Sequence, residues 1–144
     1  DIEFSFLGQL DPKNPLSIPI NKILKFKNDG VIDYLGETDN VQNQLENCDC
    51  VVLPSYREGA PRSLMEASSM ELPIITTNVA GCNQVVEDGV TGLLCQPRSS
   101  SDLASKMEKM INLTESQRNN MGRQGRKKMI KQFEEKIVIK KYLI

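Results

Sequence analysis

Two carboxylates, Glu58 and Glu66, flank a segment of "PSYREGAPRSLMEASSM" that opens at Gly59, turns helical near Pro61 and carries Arg62. Carboxylates accept paired hydrogen bonds from sugar hydroxyls. The first turn of a helix offers free N–H groups and about half a positive charge, which attract anions, phosphate above all. Gly59 lets the backbone bend closely, and Pro61 suits the first helical turn, where its missing N–H needs no partner. A cation such as Arg62 is disfavoured there by the helix dipole unless an anion shares the site. Arg62 and Glu66, one turn apart, share a face, while Leu64 points roughly opposite, toward a sheet. Two acids around a phosphate cradle suit a ligand with a ribose on one side and a pyranose on the other. The same spacing also fits an exposed i, i+4 ion pair with Glu58 a solvated loop acid, and spacing alone leaves both open.

The elements that must hold this segment follow from periodicity. "DIEFSFLG" alternates Ile2, Phe4 and Phe6 and ends at Gly8, the pattern of a strand opening into a loop. Pro12, Pro15 and Pro19 punctuate a loop before a helix around Asn21 to Lys27. "VIDYLG" predicts a second strand over Val31 to Gly36, and Val41, Leu45 and Cys48 fall at helical spacing. Cys50 to Leu53 is almost wholly apolar, as a third strand covered on both faces would be. The helix from Pro61 follows, with Ala67, Ser68 and Ser69 small enough to lie close against the sheet, and then "LPIITT" as a fourth strand. A brief helix over Asn83 to Glu87 and the Asp88-Gly89 turn lead to a fifth strand, "GLLCQP". Such alternation is the rhythm of βαβ units, whose right-handed crossovers force a parallel sheet, so the expected fold is doubly wound, Rossmann-like α/β. After Pro97 the pattern is helical: Leu103, Met107, Met110 and Ile111 repeat at helical spacing. Thr114 and Gln117 then form a capping-box pattern before a helix with Met121, Met129, Ile130 and Phe133 inward. In an open parallel sheet the ligand crevice lies beyond the carboxyl ends of the strands, which is where the loop after "VVLPS" falls.

Composition bounds the chemistry. The 144 residues fit one domain of ordinary size; 39% are hydrophobic and 26% charged, a globular balance, and no apolar run is long enough to span a bilayer. The chain starts at Asp1 without a charged and apolar leader, so neither a signal peptide nor a natural start is expected, and an excised piece is. With no histidine, the His-dependent triads and the commonest general base are excluded. Cys48, Cys50, Cys82 and Cys95 lack paired C-x-x-C spacing, so reduced core thiols are expected and neither a metal site nor a redox pair. "FLGQLD" has one glycine where a dinucleotide fingerprint needs three. A net charge of -1 argues against nucleic acid. The basic run from Arg118 to Lys131 is interleaved with Met121, Met129 and Ile130, the pattern of an amphipathic helix with a solvated outer face.

Taken whole, Glu58 to Glu66 is an E-x7-E arrangement followed by "PIITTNVAGCNQVVEDGVTGLLCQP". From "FSFLG" through "YLGETDNVQNQLENCDCVVLPS" to the helices past Pro97, the chain resembles the family 4 glycosyltransferases, retaining enzymes of the GT-B fold. The likeness is to their C-terminal, nucleotide-sugar-binding domain, one half of that fold. Among them it is similar to bacterial enzymes that add an N-acetylhexosamine or galactose to a polyprenyl-diphosphate-linked saccharide for surface glycans.

The resemblance implies that Glu66 binds the ribose hydroxyls and Glu58 the hydroxyls of the donor sugar, with Gly59, Ala60, Pro61, Arg62 and Ser63 around the diphosphate. It further implies that Gly36 to Thr38 lie against the base and that Gly8 lines the crevice. The donor substrate would be a nucleotide diphosphate sugar, with no cofactor and no metal, since no D-x-D triplet is present. Relatives often read "GCREVV" where this chain has Gly81 to Val86, so Asn83 and Gln84 argue against an ionic role there. The family's diphosphate-neutralising basic residues have no match in Asp1 to Phe6. The implied partners are an N-terminal domain of the same chain and a saccharide or polyprenyl-diphosphate-linked acceptor. A fragment without that domain is expected to bind donor weakly and transfer nothing. "EEKIVIKKYLI" resembles the start of the segment that crosses back to the other domain. A cytoplasmic location follows, with peripheral association at the inner face of the plasma membrane left open. The alternative is a stand-alone nucleotide-sugar or phosphate-binding module without catalysis.

Overall fold

Ile74, Ile75, Thr76 and Thr77 are buried along their whole length, and the rest of the second half of the molecule is arranged around them. The computed structural model describes residues 2–11, 13, 17–134 and 137. Pro12, Pro15 and most of "EEKIVIKKYLI" therefore lie outside the described residues. The chain divides into two compact units, Asp1–Val41 and Gln42–Ile144.

In the first unit, β1 (Ser5–Leu7) pairs in parallel with β2 (Asp33–Gly36), joined by α1 (Ile20–Asn28). Pro19 precedes α1 in an extended conformation, and Lys25 and Lys27 in its last turn suit the negative end of the helix dipole. Ile23 is its buried side chain. β1 and β2 are shorter than the alternation predicts, and Ile2, Phe4, Phe6 and Val31 remain exposed. Among the described residues each of these strands has one paired neighbour, so its other edge gains no ladder bonds from extension.

The second unit follows α2 (Val41–Leu45) with β3 (Val51–Leu53), α3 (Arg62–Ser69), β4 (Ile74–Thr77), α4 (Cys82–Val85), β5 (Gly92–Cys95), α5 (Ser100–Ile111) and α6 (Glu115–Phe133). Its sheet is parallel in the order β3-β4-β5. The expected parallel α/β alternation is thus present, its pairing divided between two sheets. The strand covered on both faces is β4, not β3: β4 is central, whereas among the described residues β3 pairs with β4 alone and stays half-buried. Ile75, Leu93, Met110 and Met121 form the core on one side, with Val52, Leu103 and Met107 packed against them.

Two expected inward residues turn out. Ile111 and Ile130 are exposed because their neighbours Met110 and Met129 hold the buried face, about 100° away on the helix. In α6 the buried stripe is Met121, Gly125 and Met129, every fourth residue, with Gly122 beside it. A Cβ on Gly122 would run into the Glu71 carbonyl, and one on Gly125 would lie 2.7 Å from Ser68 Oγ, so these glycines let α6 press against the end of α3. Ser68 therefore serves the α6 contact, and Ser69 faces solvent with its hydroxyl donating to the Met65 carbonyl at 2.7 Å. Leu64 is fully buried, as its position opposite the Arg62 face requires, a burial worth about 2 kcal/mol.

The basic run has structural employment on α6. Arg118 donates to the Leu113 carbonyl at 2.5 Å. Arg126 donates to the Ser69 carbonyl at 2.6 Å and pairs with Glu71 at 3.7 Å, placing a cation at the negative end of α3. The Thr114–Gln117 capping box forms as the spacing predicts. Among the described residues no helix is long and apolar enough to cross a membrane.

Candidate functional site

The loop 54–61 leaves β3 at its carboxyl end and delivers the chain to α3. Pro61 stands one position earlier than the sequence suggests. It is the N-cap residue, at φ -70 and ψ 99, with no side-chain cap bond, and Arg62 is the first helical residue. The Pro61 carbonyl accepts from the Leu64 and Met65 N–H groups, both at 3.1 Å. The Arg62 and Ser63 N–H groups therefore have no acceptor within the helix. No acidic residue occupies the first turn. An uncapped, unneutralised helix start of this kind suits an anion.

Glu58 and Glu66 are both half-buried and bracket that helix start. Glu58 accepts a hydrogen bond from Ser55 Oγ at 2.7 Å. Arg62 and Glu66 approach to 3.7 Å as an i, i+4 pair, with Arg62 87% exposed. An ion pair this open contributes a few tenths of a kcal/mol at most. The local pair thus exists, and it leaves the guanidinium in solvent, free to turn toward an anion at the helix start. Gly59, Ala60 and Ser63 are exposed on the same loop and first turn, and Pro61 is buried beneath them.

Gly8, Gly36 and Thr38 belong to the first unit, where two of them are brought together. The Gly8 N–H donates to the Gly36 carbonyl at 2.9 Å, and the Tyr34 hydroxyl donates to the Gly8 carbonyl at 3.0 Å. Gly36 sits at φ 72, a left-handed conformation that explains the glycine ending β2. The Thr38 hydroxyl accepts from the Asn40 N–H at 3.1 Å.

Three residues outside the predicted set hold the Glu58 loop. Thr77, at the end of β4, donates through Oγ1 to the Ser55 carbonyl, and Thr76 donates to the Leu53 carbonyl at 2.7 Å. Gly81, at φ 86, lies under the loop: a Cβ there would stand 2.6 Å from the Glu58 carbonyl oxygen and closer still to that of Gly59. The visible signal was a threonine pair ending an apolar strand, followed by a glycine, and it does not name its partner. α4 begins at Cys82, one residue before the expected start, and Asn83 bonds Asn78 at 3.1 Å without any ionic partner.

A cavity of about 330 Å³ opens at the carboxyl ends of β3, β4 and β5, lined by Pro54, Tyr56, Thr77, Cys95, Arg98 and Ser99 among others. Neither glutamate lines it. Glu58 follows the cavity residue Tyr56 by two positions, on the loop, and Glu66 lies in α3. Among the described residues no cluster of three or more Cys, Asp or Glu side chains could hold a metal ion. The four cysteines are free thiols. Burial pushes the Cys50 thiol up to about 12, and burial also raises those of Cys48 and Cys95, which makes all three poor nucleophiles.

Residues 16–128 match the model of the family described as glycosyl transferases group 1. The chain is 32% identical, over 83% of its length, to the N,N'-diacetylbacillosaminyl-diphospho-undecaprenol alpha-1,3-N-acetylgalactosaminyltransferase of Campylobacter jejuni, spanning 31% of that protein. It is 38% identical, over 64% of its length, to the capsular polysaccharide biosynthesis glycosyltransferase CapM of Staphylococcus aureus, spanning 24% of it. In fold it resembles a crystal structure of S. aureus TarM in complex with fondaparinux, alpha-GlcNAc-glycerol and UDP, with a TM-score of 0.84, 24% identity and coverage of 99% of this chain and 28% of that one. The chain therefore spans about a third or less of each of these three proteins.

Proposed function

The chain belongs to the glycosyl transferases of group 1, and from that membership we propose that it is the donor-binding domain of a two-domain enzyme. That enzyme transfers a sugar from a nucleotide diphosphate sugar, UDP-linked, to a saccharide or polyprenyl-diphosphate-linked acceptor with retention at the anomeric carbon. The observation that carries the reading is the start of α3: an uncapped helix N-terminus with Arg62 in its first turn and a carboxylate on either side. Named relatives support the substrates. One is an N-acetylgalactosaminyltransferase whose name carries a diphospho-undecaprenol acceptor, and a structural neighbour holds UDP.

In this reading the diphosphate lies on the Arg62 and Ser63 N–H groups, beside Gly59, Ala60 and Pro61 and within reach of the Arg62 guanidinium. Glu66 accepts hydrogen bonds from the ribose hydroxyls, and Glu58 from those of the sugar. The bond from C1 to the diphosphate oxygen breaks, a bond from C1 to the acceptor oxygen forms, and the acceptor's proton ends on the released diphosphate. Fixed amides and Arg62 stabilise the charge that gathers on the leaving group, without a metal or cofactor. Glu58 orients the sugar and is not the nucleophile. The second domain brings the acceptor and closes the site, on the cytoplasmic face of the plasma membrane where the two substrates meet.

The test is a screen of the full-length protein against UDP-sugars with a polyprenyl-diphosphate saccharide as acceptor, the product's anomeric configuration being read by NMR. Transfer with retention is expected from one UDP-sugar. Hydrolysis or transfer with inversion would overturn the mechanism, and no transfer with retained UDP binding would leave only a binding module.

A further inference from the structure

Glu58 is held more firmly than an exposed loop acid needs to be. Its carboxylate accepts from Ser55 Oγ at 2.7 Å. The Ser55 carbonyl in turn accepts from Thr77 Oγ1, and Thr77 is buried at the end of the central strand. The backbone of Glu58 and Gly59 rests on Gly81, where any side chain would collide with the two carbonyls. The turn carrying Gly81 is itself fixed: the Asn78 N–H donates to the Cys95 carbonyl at 2.8 Å and the Val79 N–H to the Thr77 carbonyl at 2.9 Å. The main chain of this acid thus packs on the β4–α4 turn, and its carboxylate is held by Ser55, whose own carbonyl is tied to Thr77 at the end of β4.

Stability accounts for the Thr77 bond, which satisfies a buried hydroxyl, but not for the hold on the carboxylate. A single hydroxyl–carboxylate bond on a half-exposed residue gains no more than the rotamer freedom it removes. A glycine at positive φ packed against a backbone adds no apolar burial. What the arrangement does achieve is a fixed direction for one carboxylate. Ser55 bonds Oε1, which leaves Oε2 and the remaining lone pairs as acceptors for a ligand that presents O–H or N–H donors.

We propose that Ser55, Thr77 and Gly81 are positioning residues that preset Glu58 for the hydroxyls of the donor's sugar, so that sugar recognition is set by the turn after β4 while nucleotide recognition is set by α3. The inference rests on the assignment of Glu58 to the sugar made above. It predicts that damage to the bracket weakens the sugar's contribution to binding and spares the nucleotide's.

The experiment is calorimetric titration of the full-length protein with UDP, UDP-galactose and UDP-N-acetylgalactosamine. Variants are Ser55→Ala, Ser55→Thr, Thr77→Val and Gly81→Ala, with Glu58→Gln as control. Ser55→Ala and Gly81→Ala are expected to weaken the better-bound UDP-sugar about tenfold, the loss of one charge-assisted hydrogen bond, while UDP affinity stays within about twofold. Ser55→Thr, which keeps the hydroxyl, should restore most of the loss. Equal weakening of UDP and UDP-sugar would make the bracket merely structural and overturn the proposal. If Gly81→Ala fails to fold, Ser55→Ala and Thr77→Val decide the matter alone. Should Glu58→Gln bind the UDP-sugar like wild type, or wild type bind neither UDP-sugar more tightly than UDP, the assignment of Glu58 falls and this inference with it. A loss in Glu58→Gln but in none of the bracket variants would sink the positioning role while leaving that assignment standing.

Discussion

Two helices start at the carboxyl edge of the same three-stranded sheet, and their first turns are built on opposite plans. α5 is closed by its own chain: Ser99 Oγ accepts from the Asp102 N–H at 3.2 Å, and the Asp102 carboxylate accepts from the Gln96 N–H at 2.7 Å. A cap and an acid in the first turn use up both the free donors and the positive end of the dipole. α3 has neither, and its first turn carries the cation Arg62, whereas that of α5 carries the acid Asp102. A helix start that satisfies itself is a structural joint, whereas the open start of α3, with its added cation and flanking acids, suits the anion that the proposed site requires.

The largest test of this contrast is Glu66→Ala in the full-length protein. The donor KM is expected to rise about ten- to a hundredfold, the worth of hydrogen bonds to one charged group, with little change in the unfolding midpoint. Steady-state kinetics beside a denaturant titration measures both, and an unaltered KM would remove α3 from the donor site.

Behind the open loop the floor is closed, and Cys50 reports on it. Burial lifts its thiol from 9.0 to about 12, so the unfolded chain loses this proton at a lower pH than the folded one. The stability from keeping it neutral is complete below pH 9.0 and is lost as the pH climbs toward about 12. Wild type should lose up to about 1.4 kcal/mol per pH unit more than Cys50→Ala across that window. Parallel pH curves in chemical denaturation would show that the floor is wet.

Ser99→Ala is the mirror of the first test. Removing this cap should cost about 1 kcal/mol of stability and leave the donor KM unchanged. A raised KM would mean that α5 also meets the ligand. The smallest effect is expected from Arg62→Ala. Its unfavourable place on the dipole and its pairing with Glu66 nearly cancel, so stability should shift by no more than about 0.5 kcal/mol. UDP binding by calorimetry should nevertheless weaken and lose part of its salt dependence. A large gain or loss of stability with unchanged UDP binding would return Arg62 to the role of a surface residue.

Much of the fold was legible. The strands over residues 51–53, 74–77 and 92–95 and the capping box at Thr114 follow from patterns a few residues long. Misplacements occurred where a local pattern competes with packing. Met121 and Met129 are inward as expected, but Ile130, equally apolar, is exposed, and Gly125, which counts for nothing on a hydrophobic scale, completes the buried stripe in its place. β3 looks buried because it is apolar, yet its position at the sheet's edge leaves it half-covered. Of the candidate site, the E-x7-E segment is legible from residue types, since glutamate, glycine, proline and arginine each have a distinct chemistry. The Arg118 to Lys131 run looked like a solvated face, and two of its cations instead tie backbone carbonyls.

The order and type of the elements, and the acids around one helix start, were determined by the sequence alone, because periodicity, capping and turn chemistry act between near neighbours. Which strand is central, and what holds Glu58 still, were decided only by tertiary structure. Ser55 with Thr77, Gly81 with Glu58 and Arg126 with Ser69 are pairs far apart along the chain. No local pattern encodes them; each exists because close packing leaves a hydroxyl, a missing side chain or a cation as the group that fits.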